Sequence, residues 1–286
     1  MDPTVALGLG LALLSAVTSA FAHALLKSGD DKLAVQAWIR LTEFVVAAPV
    51  VLWIGLPPAG LWLWLFAAMA IHAIYQLVLA WSYVLSDFTA AYPIARGFTP
   101  IFAALLGVAF LGDQVGPPVL LGIAIVSAGI LCLAGNRAIP RAGLIAAACT
   151  GLLTTCYTLV DAKGVRAAPD ALTFVAWFFL LDSLSMPIAL LIRSGRASFG
   201  LLARDMKAGM LAGIMAPISF APALFALSMA PVGTVAAVRE SSVAFGLLLG
   251  SFYLKEKLSR RRIAGALLIT LGTLTVIAGS TFAKSS

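Results

Sequence analysis

The stretch AYPIARGFTPIFAALLGVAFLGDQVGPPVLLG (residues 91–122) returns later in the chain as TVAAVRESSVAFGLLLGSFYLKEKLSRRRIAG (residues 234–265). The two align without a gap at an offset of 143 residues, half of 286. Arg96 pairs with Arg239, Phe102 with Phe245, Gly107 with Gly250, Leu111 with Leu254, Asp113 with Glu256 and Gly122 with Gly265. Gly129 and Gly272 continue the register. Nearer each half's start the loops differ and the offset drifts, yet Trp38-x4-Glu43 answers Trp177-x4-Asp182. Chance yields one such match readily, but not an unbroken series from Arg96 to Gly129.

The solvent for such a chain is lipid. Hydrophobic residues make up 62% and charged residues 11%, with a mean hydropathy of +1.04, where soluble domains are about half apolar and about a quarter charged. Too little polar surface exists to cover such a chain in water. The net charge of +7 is spread over short connectors between apolar runs, which fits a membrane surface rather than a nucleic-acid face. Cys132, Cys149 and Cys156 all sit in apolar runs, so neither a disulfide framework nor a CxxC metal site is expected.

A membrane-spanning helix needs about 20 apolar residues. That length, with Ser28-Gly29-Asp30-Asp31, Pro57-Pro58, Gly112-Asp113, Pro117-Pro118, Asn136-Arg137 and the basic run Lys255–Arg262 as punctuation, places ten spans. They are 4–26, 33–55, 61–84, 88–111, 116–135, 142–162, 171–192, 208–229, 232–254 and 263–282. The expected fold is an all-α membrane protein of two five-helix repeats, 1–136 and 137–286. Five is odd, so the second repeat enters the membrane from the opposite side and the halves are inverted. Such repeats typify secondary transporters, whose substrate site lies near the bilayer midplane where the repeats meet. No cleavable signal peptide is expected at the start, because no basic segment precedes the first apolar run. No GxxxxGK[ST] loop occurs, so ATP hydrolysis is not expected, nor any cofactor or metal.

The two repeated stretches resemble the end of an EamA domain, which carries an apolar helix, a Leu-Gly-Glu-like turn, a short polar loop and a glycine-rich helix. The whole chain resembles two such domains, the ten-span form of the drug/metabolite transporter superfamily. The segments HALLKSGDDKL, YPIARGFTP, CYTLVDAKG and RESSVAFG are similar to a branch linked with phosphonate utilisation. Asp113 stands where the family turn carries glutamate, and Lys255 replaces the usual glycine before Glu256. The resemblance implies a transporter rather than an enzyme, in a bacterial inner membrane, acting as a monomer on a small polar metabolite.

Only Arg40, Arg96 and Arg239 of the basic residues fall well inside spans, with the acids Glu43, Asp161, Asp182 and Glu240 inside or at span ends. A charge at the bilayer centre costs at least about 2.5–3.5 kcal/mol, so each must face a cavity or a partner. Arg96 and Arg239 are repeat mates and candidate substrate ligands, since guanidinium binds carboxylate or phosphonate bidentately. Each could instead neutralise an acid such as Glu240 or Glu43. Tyr92, Arg96 and Thr99 share one helical face, and Arg239, Ser242 and Gly246 form a small polar face opposite. Pro93 and Pro100 disturb the first of these helices and free carbonyls. His72, Tyr75 and Gln76 share a face of the third span, suited to a polar ligand or to interhelical hydrogen bonds. Asp182, Glu43 and Glu240 are the proton-coupling candidates. Asp182 has no basic neighbour in its own span, whereas Arg40 sits three residues before Glu43. Ala103/Gly107 and Gly246/Gly250 are small-xxx-small packing pairs.

Two other functions compete. An intramembrane protease needs a G-x-S-x-G-like nucleophile that is absent from the sequence, and the only histidines are His23 and His72. A channel or lipid flippase calls for a polar stripe along whole helices, whereas polar residues here cluster centrally. Orientation follows from the connectors. Lys27, Lys32, Arg137, Arg141, Arg193, Arg196, Arg204, Lys207, Lys255, Lys257, Arg260, Arg261 and Arg262 share one side, against Lys163, Arg166 and Lys284 on the other. Lys and Arg favour the cytoplasm, so both termini are expected outside it, although the family more often keeps both inside.

Overall fold

Away from water, a spanning segment must satisfy its backbone N–H and C=O groups internally, which leaves apolar runs the helix. The computed structural model describes residues 2–28, 30–85, 96–134, 141–253 and 259–282, and among them every regular element is helical. The helices are α1 (Pro3–Ser28), α2 (Lys32–Ile54), α3 (Trp62–Leu85), α4 (Thr99–Leu106), α5 (Pro117–Ala134) and α6 (Arg141–Ala167). Then come α7 (Ala171–Asp182), α8 (Ser185–Ser194), α9 (Ser198–Met229), α10 (Val232–Arg239), α11 (Ser241–Tyr253) and α12 (Arg260–Phe282). A π turn, Gly107–Leu111, prolongs α4 until Gly112 stops it in the left-handed region at φ 69°.

Local chemistry sets the helix starts. Asp31 caps α2 by accepting from the amides of Leu33 and Ala34, each at 3.0 Å, and Asp170 caps α7 through the Thr173 amide at 2.8 Å. Partial burial works against the charge of Asp31, yet the Arg193 guanidinium and the two capping amides hold its carboxyl below the usual carboxylate range.

Among the described residues, six stretches are long and apolar enough to cross a membrane: Pro3–Ala22, Lys32–Ile54, Ala59–Val78, Ala171–Met229, Val232–Leu249 and Arg260–Thr281. Thr99–Leu111 and Pro117–Leu133 are shorter apolar helices. The expected ten crossings therefore meet six qualifying stretches, one of which, Ala171–Met229, contains α7, α8 and α9. Two expected spans are broken helices: 171–192 divides after Asp182, and 232–254 divides at Glu240. The fourth is interrupted too, because Arg96 and Gly97 are helical, Phe98 is not, and α4 starts at Thr99 with Pro100 in its first turn. α9 starts ten residues ahead of the expected 208, at Ser198, and absorbs Pro217 and Pro222 over its 32 residues.

The molecule is apolar outside and polar within. Leu52, Trp53 and Ile192 are 80% or more exposed, whereas Arg40, Glu43, His72, Asp161, Asp182 and Glu240 are buried. A surface of this kind is tolerated only against lipid or another apolar partner.

Helix packing repeats itself. α1 lies along α9, and α3 along α6; α4 meets α10, and α5 runs against α12. At that last contact a Cβ on Gly272 would stand 2.8 Å from the Gly122 carbonyl, and one on Gly265 would stand 3.0 Å from the Gly129 carbonyl. Adding 143 to Gly122 gives Gly265, and subtracting it from Gly272 gives Gly129, so the two close approaches exchange under the sequence repeat. Trp38 and Trp177 are equivalent as well: each indole N–H donates to a backbone carbonyl, Leu202 at 2.9 Å and Gly55 at 3.0 Å. Of the expected packing glycines, Gly107 packs against Asp113 and Val232, but a side chain at Gly246 would meet open space. The bend at Glu240 precedes Gly246 by six residues, so the register drawn through one unbroken helix does not hold there.

Candidate functional site

Interrupted helices turn polar groups inward where a continuous helix would leave none to spare. One small pocket lies where the chain around Arg96 meets α6 and α10. It is lined by Arg96 and Thr99, by Thr154, Tyr157 and Thr158 of α6, and by Val235, Ala236, Arg239 and Glu240. The repeat-related arginines thus share one pocket.

Their partners differ. Arg96 donates from Nε to Glu240 Oε2 at 2.9 Å and to Oε1 at 3.1 Å, and from Nη2 to Oε1 at 2.9 Å, a two-pronged pair that occupies Glu240. Arg239 donates from Nε to Ser15 Oγ at 3.2 Å and lies 5.5 Å over the Phe220 ring. No carboxylate pairs with it among the described residues. The reason is in the register: the first-half equivalent of Glu240 is Gly97. A Cβ there would lie 2.8 Å from the Leu131 side chain, so a glutamate at this position would have to displace that side chain of α5.

A second ionic cluster links α2 and α7. Arg40 Nη1 stands 2.5 Å from Glu43 Oε2 and 2.9 Å from Asp182 Oδ2. The pairing of Arg40 with Glu43 follows the expected three-residue spacing. Asp182, which has no basic neighbour in its own span, meets Arg40 from another helix, so both acids share one guanidinium. Its carboxylate oxygens accept no hydrogen bond among the described residues, so the contact with Arg40 is one of charge.

The third cluster joins α3 to α6. His72 Nε2 is 3.0 Å from Asp161 Oδ2, and both side chains are buried. The imidazole is stacked among Tyr157 (4.2 Å), Phe178 (4.9 Å) and Phe220 (5.4 Å). Tyr75 meets Tyr157 edge-on at 5.0 Å, and Gln76 accepts from Gln36 at 3.2 Å. His72, Tyr75 and Gln76 therefore serve contacts between helices and do not line the pocket. Ser242 is buried beyond the bend at Glu240 and does not line it either. Tyr92 lies outside the described residues.

The face of α6 was missed. In TTCYTLVD (residues 154–161), Thr154, Tyr157, Thr158 and Asp161 fall at i, i+3, i+4 and i+7, a polar stripe legible by spacing alone. The hydroxyls of Thr150, Thr154 and Thr158 donate to carbonyls four residues back, so they satisfy themselves inside their own helix. Asp113 was also undervalued. It accepts from Arg166 at 2.6 Å and from the Val232 amide at 2.6 Å, while Arg166 donates to the carbonyls of Leu227 and Ala230. This clasp satisfies orphan backbone groups at the end of α9 and the start of α10. Among the described residues no three His, Cys, Asp or Glu side chains converge as metal ligands.

Residues 141–278 match the EamA-like transporter family. No curated protein matches the sequence. A solved crystal structure of a protein 16% identical to this one superposes with a TM-score of 0.76, covering 96% of this chain and 97% of its own, so the fold extends over the whole chain. The second half thus carries an EamA domain, and the chain is an integral, multi-pass membrane protein.

Proposed function

We propose that this chain is a secondary active transporter that moves a small organic anion, an amino acid, carboxylate or phosphonate, by alternating access. The observation that carries the reading is Arg239, a guanidinium facing a pocket with no carboxylate committed to it among the described residues. A buried cation of this kind is a ready site for an anionic group. Thr99, Tyr157 and Arg96 supply further polar contacts around it. The EamA domain and the reciprocal glycine contacts support two inverted five-helix repeats, 1–136 and 137–286, with the pocket between them and ten crossings in all. Transport is driven by protons or by exchange, in a bacterial inner membrane, by a monomer. Glu43 and Asp182, which share Arg40, and Glu240 remain candidate proton carriers. A thermal-shift screen of the purified protein against amino acids, carboxylates, phosphonates and cationic dyes identifies the ligand class, and uptake of the hit follows in proteoliposomes. Arg239→Ala and Arg96→Ala abolish uptake while leaving the protein in the membrane. Stabilisation by cationic dyes alone, or normal uptake by both variants, sinks the reading.

A further inference from the structure

The central ionic groups do not balance by themselves. Among the described residues, Glu43 and Asp182 divide the single charge of Arg40, Glu240 matches Arg96, Arg239 pairs with no carboxylate, and Asp161 pairs with His72. With His72 neutral, these four carboxylates face three guanidiniums in a low-dielectric interior, where a net charge is costly. One proton on the His72–Asp161 pair closes the balance. His72 is also the one group of the set whose own charge changes near neutral pH when unperturbed.

The pair is placed to sense the pocket. Its imidazole packs at a tilt against Tyr157, which lines the pocket, and edge-on against Phe220, over which Arg239 lies. The groups around His72 are Asp161 and Tyr157 on α6, Asp182 on α7, Glu43 and Arg40 on α2, Arg239 on α10 and Tyr75 on its own helix. α9 presents Phe220 there, and Arg193 of α8 is taken by Asp31 at the surface. Asp161 Oδ1 has no hydrogen-bond partner among the described residues, so the carboxylate has capacity to spare.

We propose that the His72–Asp161 pair is the proton-binding site of this transporter, loaded cooperatively with an anion at Arg239. The proposal rests on the anion reading above. The proton sits on His72 Nε2 and is donated to Asp161 Oδ2. An anion at Arg239 cancels the positive field that opposes the proton, so each ligand strengthens the other's binding, as linkage requires. Both are then carried together.

Nitrogen-15 spectra of histidine-labelled protein in nanodiscs test this without a known substrate. The chain has two histidines, His23 and His72, and His72→Gln assigns the signal. The His72 signal is followed from about pH 5 to pH 8, and the proposal expects it to report the uptake of one proton. Asp161→Asn weakens that uptake at least about tenfold, a shift of about one pH unit. Arg239→Gln and Arg239→Met mimic the neutralised arginine and tighten it, whereas Arg239→Lys leaves it near the wild type. A wild-type His72 held in one protonation state across that range overturns the proposal, even if every variant misfolds. Titration unchanged in Asp161→Asn, or in both neutral Arg239 variants, overturns it too. Loss of the titration while uptake still depends on Arg239 removes this proton site and leaves the transporter reading standing.

Discussion

Arg96 and Glu240 lie 144 residues apart in the chain and meet in a two-pronged pair. Each residue alone is a charge that a membrane interior tolerates poorly. Together they form a neutral unit whose hydrogen bonds satisfy most of the carboxylate. Removing one partner of such a buried pair costs about 3–5 kcal/mol, because the other is left uncompensated. Arg96→Gln and Glu240→Gln should therefore each lower the thermal unfolding midpoint in detergent. The double variant should recover a large part of the loss. Additive losses would mean that the two side chains act independently, contrary to the geometry. Arg239 has no such partner to lose, and its neutral variants should cost less stability than either of these while costing more transport.

At the scale of elements, glycine decides how closely helices meet. The α5–α12 contact brings backbone against backbone, and a Cβ on Gly272 would approach the Val126 amide to 2.6 Å. Backbone cannot yield as a side-chain tip can, so Gly272→Ala must push the helices apart and lose contacts on both. Gly246 offers the control: open space surrounds its missing Cβ, and alanine is the better helix former by about 1 kcal/mol. Thermal unfolding should fall for Gly272→Ala and hold or rise for Gly246→Ala. Equal behaviour of the two would show that α5 and α12 do not pack this closely. The breaks at Phe98, Ser183–Leu184 and Glu240 belong to the same scale, since each turns a charged neighbour inward: Arg96, Asp182 or Glu240 itself.

Across the whole molecule, the distribution of Lys and Arg over the connectors sets orientation. Thirteen lie on the side of residues 27–32, 137–141, 193–207 and 255–262, against three on the other. Cytoplasmic loops carry the excess of Lys and Arg, so both termini are expected outside the cytoplasm. Alkaline phosphatase fused after Ser286 should be active, and green fluorescent protein exported there by the Sec route should be dark. The opposite pattern would mean that the usual orientation of the family overrides the charge bias in this chain.

Composition and period were enough to establish the helical membrane class, the repeat offset and the identity of the charged residues worth watching. Those features are local or periodic, so a single chain displays them. The pairing Arg40–Glu43 was legible for the same reason, being three residues apart on one helix. Which acid meets which arginine across helices was not legible. Asp182 looked isolated within its own span, yet α2 supplies Arg40. His72 suited a ligand or an interhelical hydrogen bond equally by spacing, and it is α6 that supplies Asp161. Arg96 and Arg239 looked equivalent, yet Gly97 stands where a second glutamate would be needed, with the Leu131 side chain against it. Long-range charge pairing depends on how helices bend and dock, and the bends at Phe98 and Glu240 shift every side chain beyond them. Sequence spacing assumes a straight helix; the tertiary structure decided where that assumption fails, and with it which guanidinium has no carboxylate partner among the described residues.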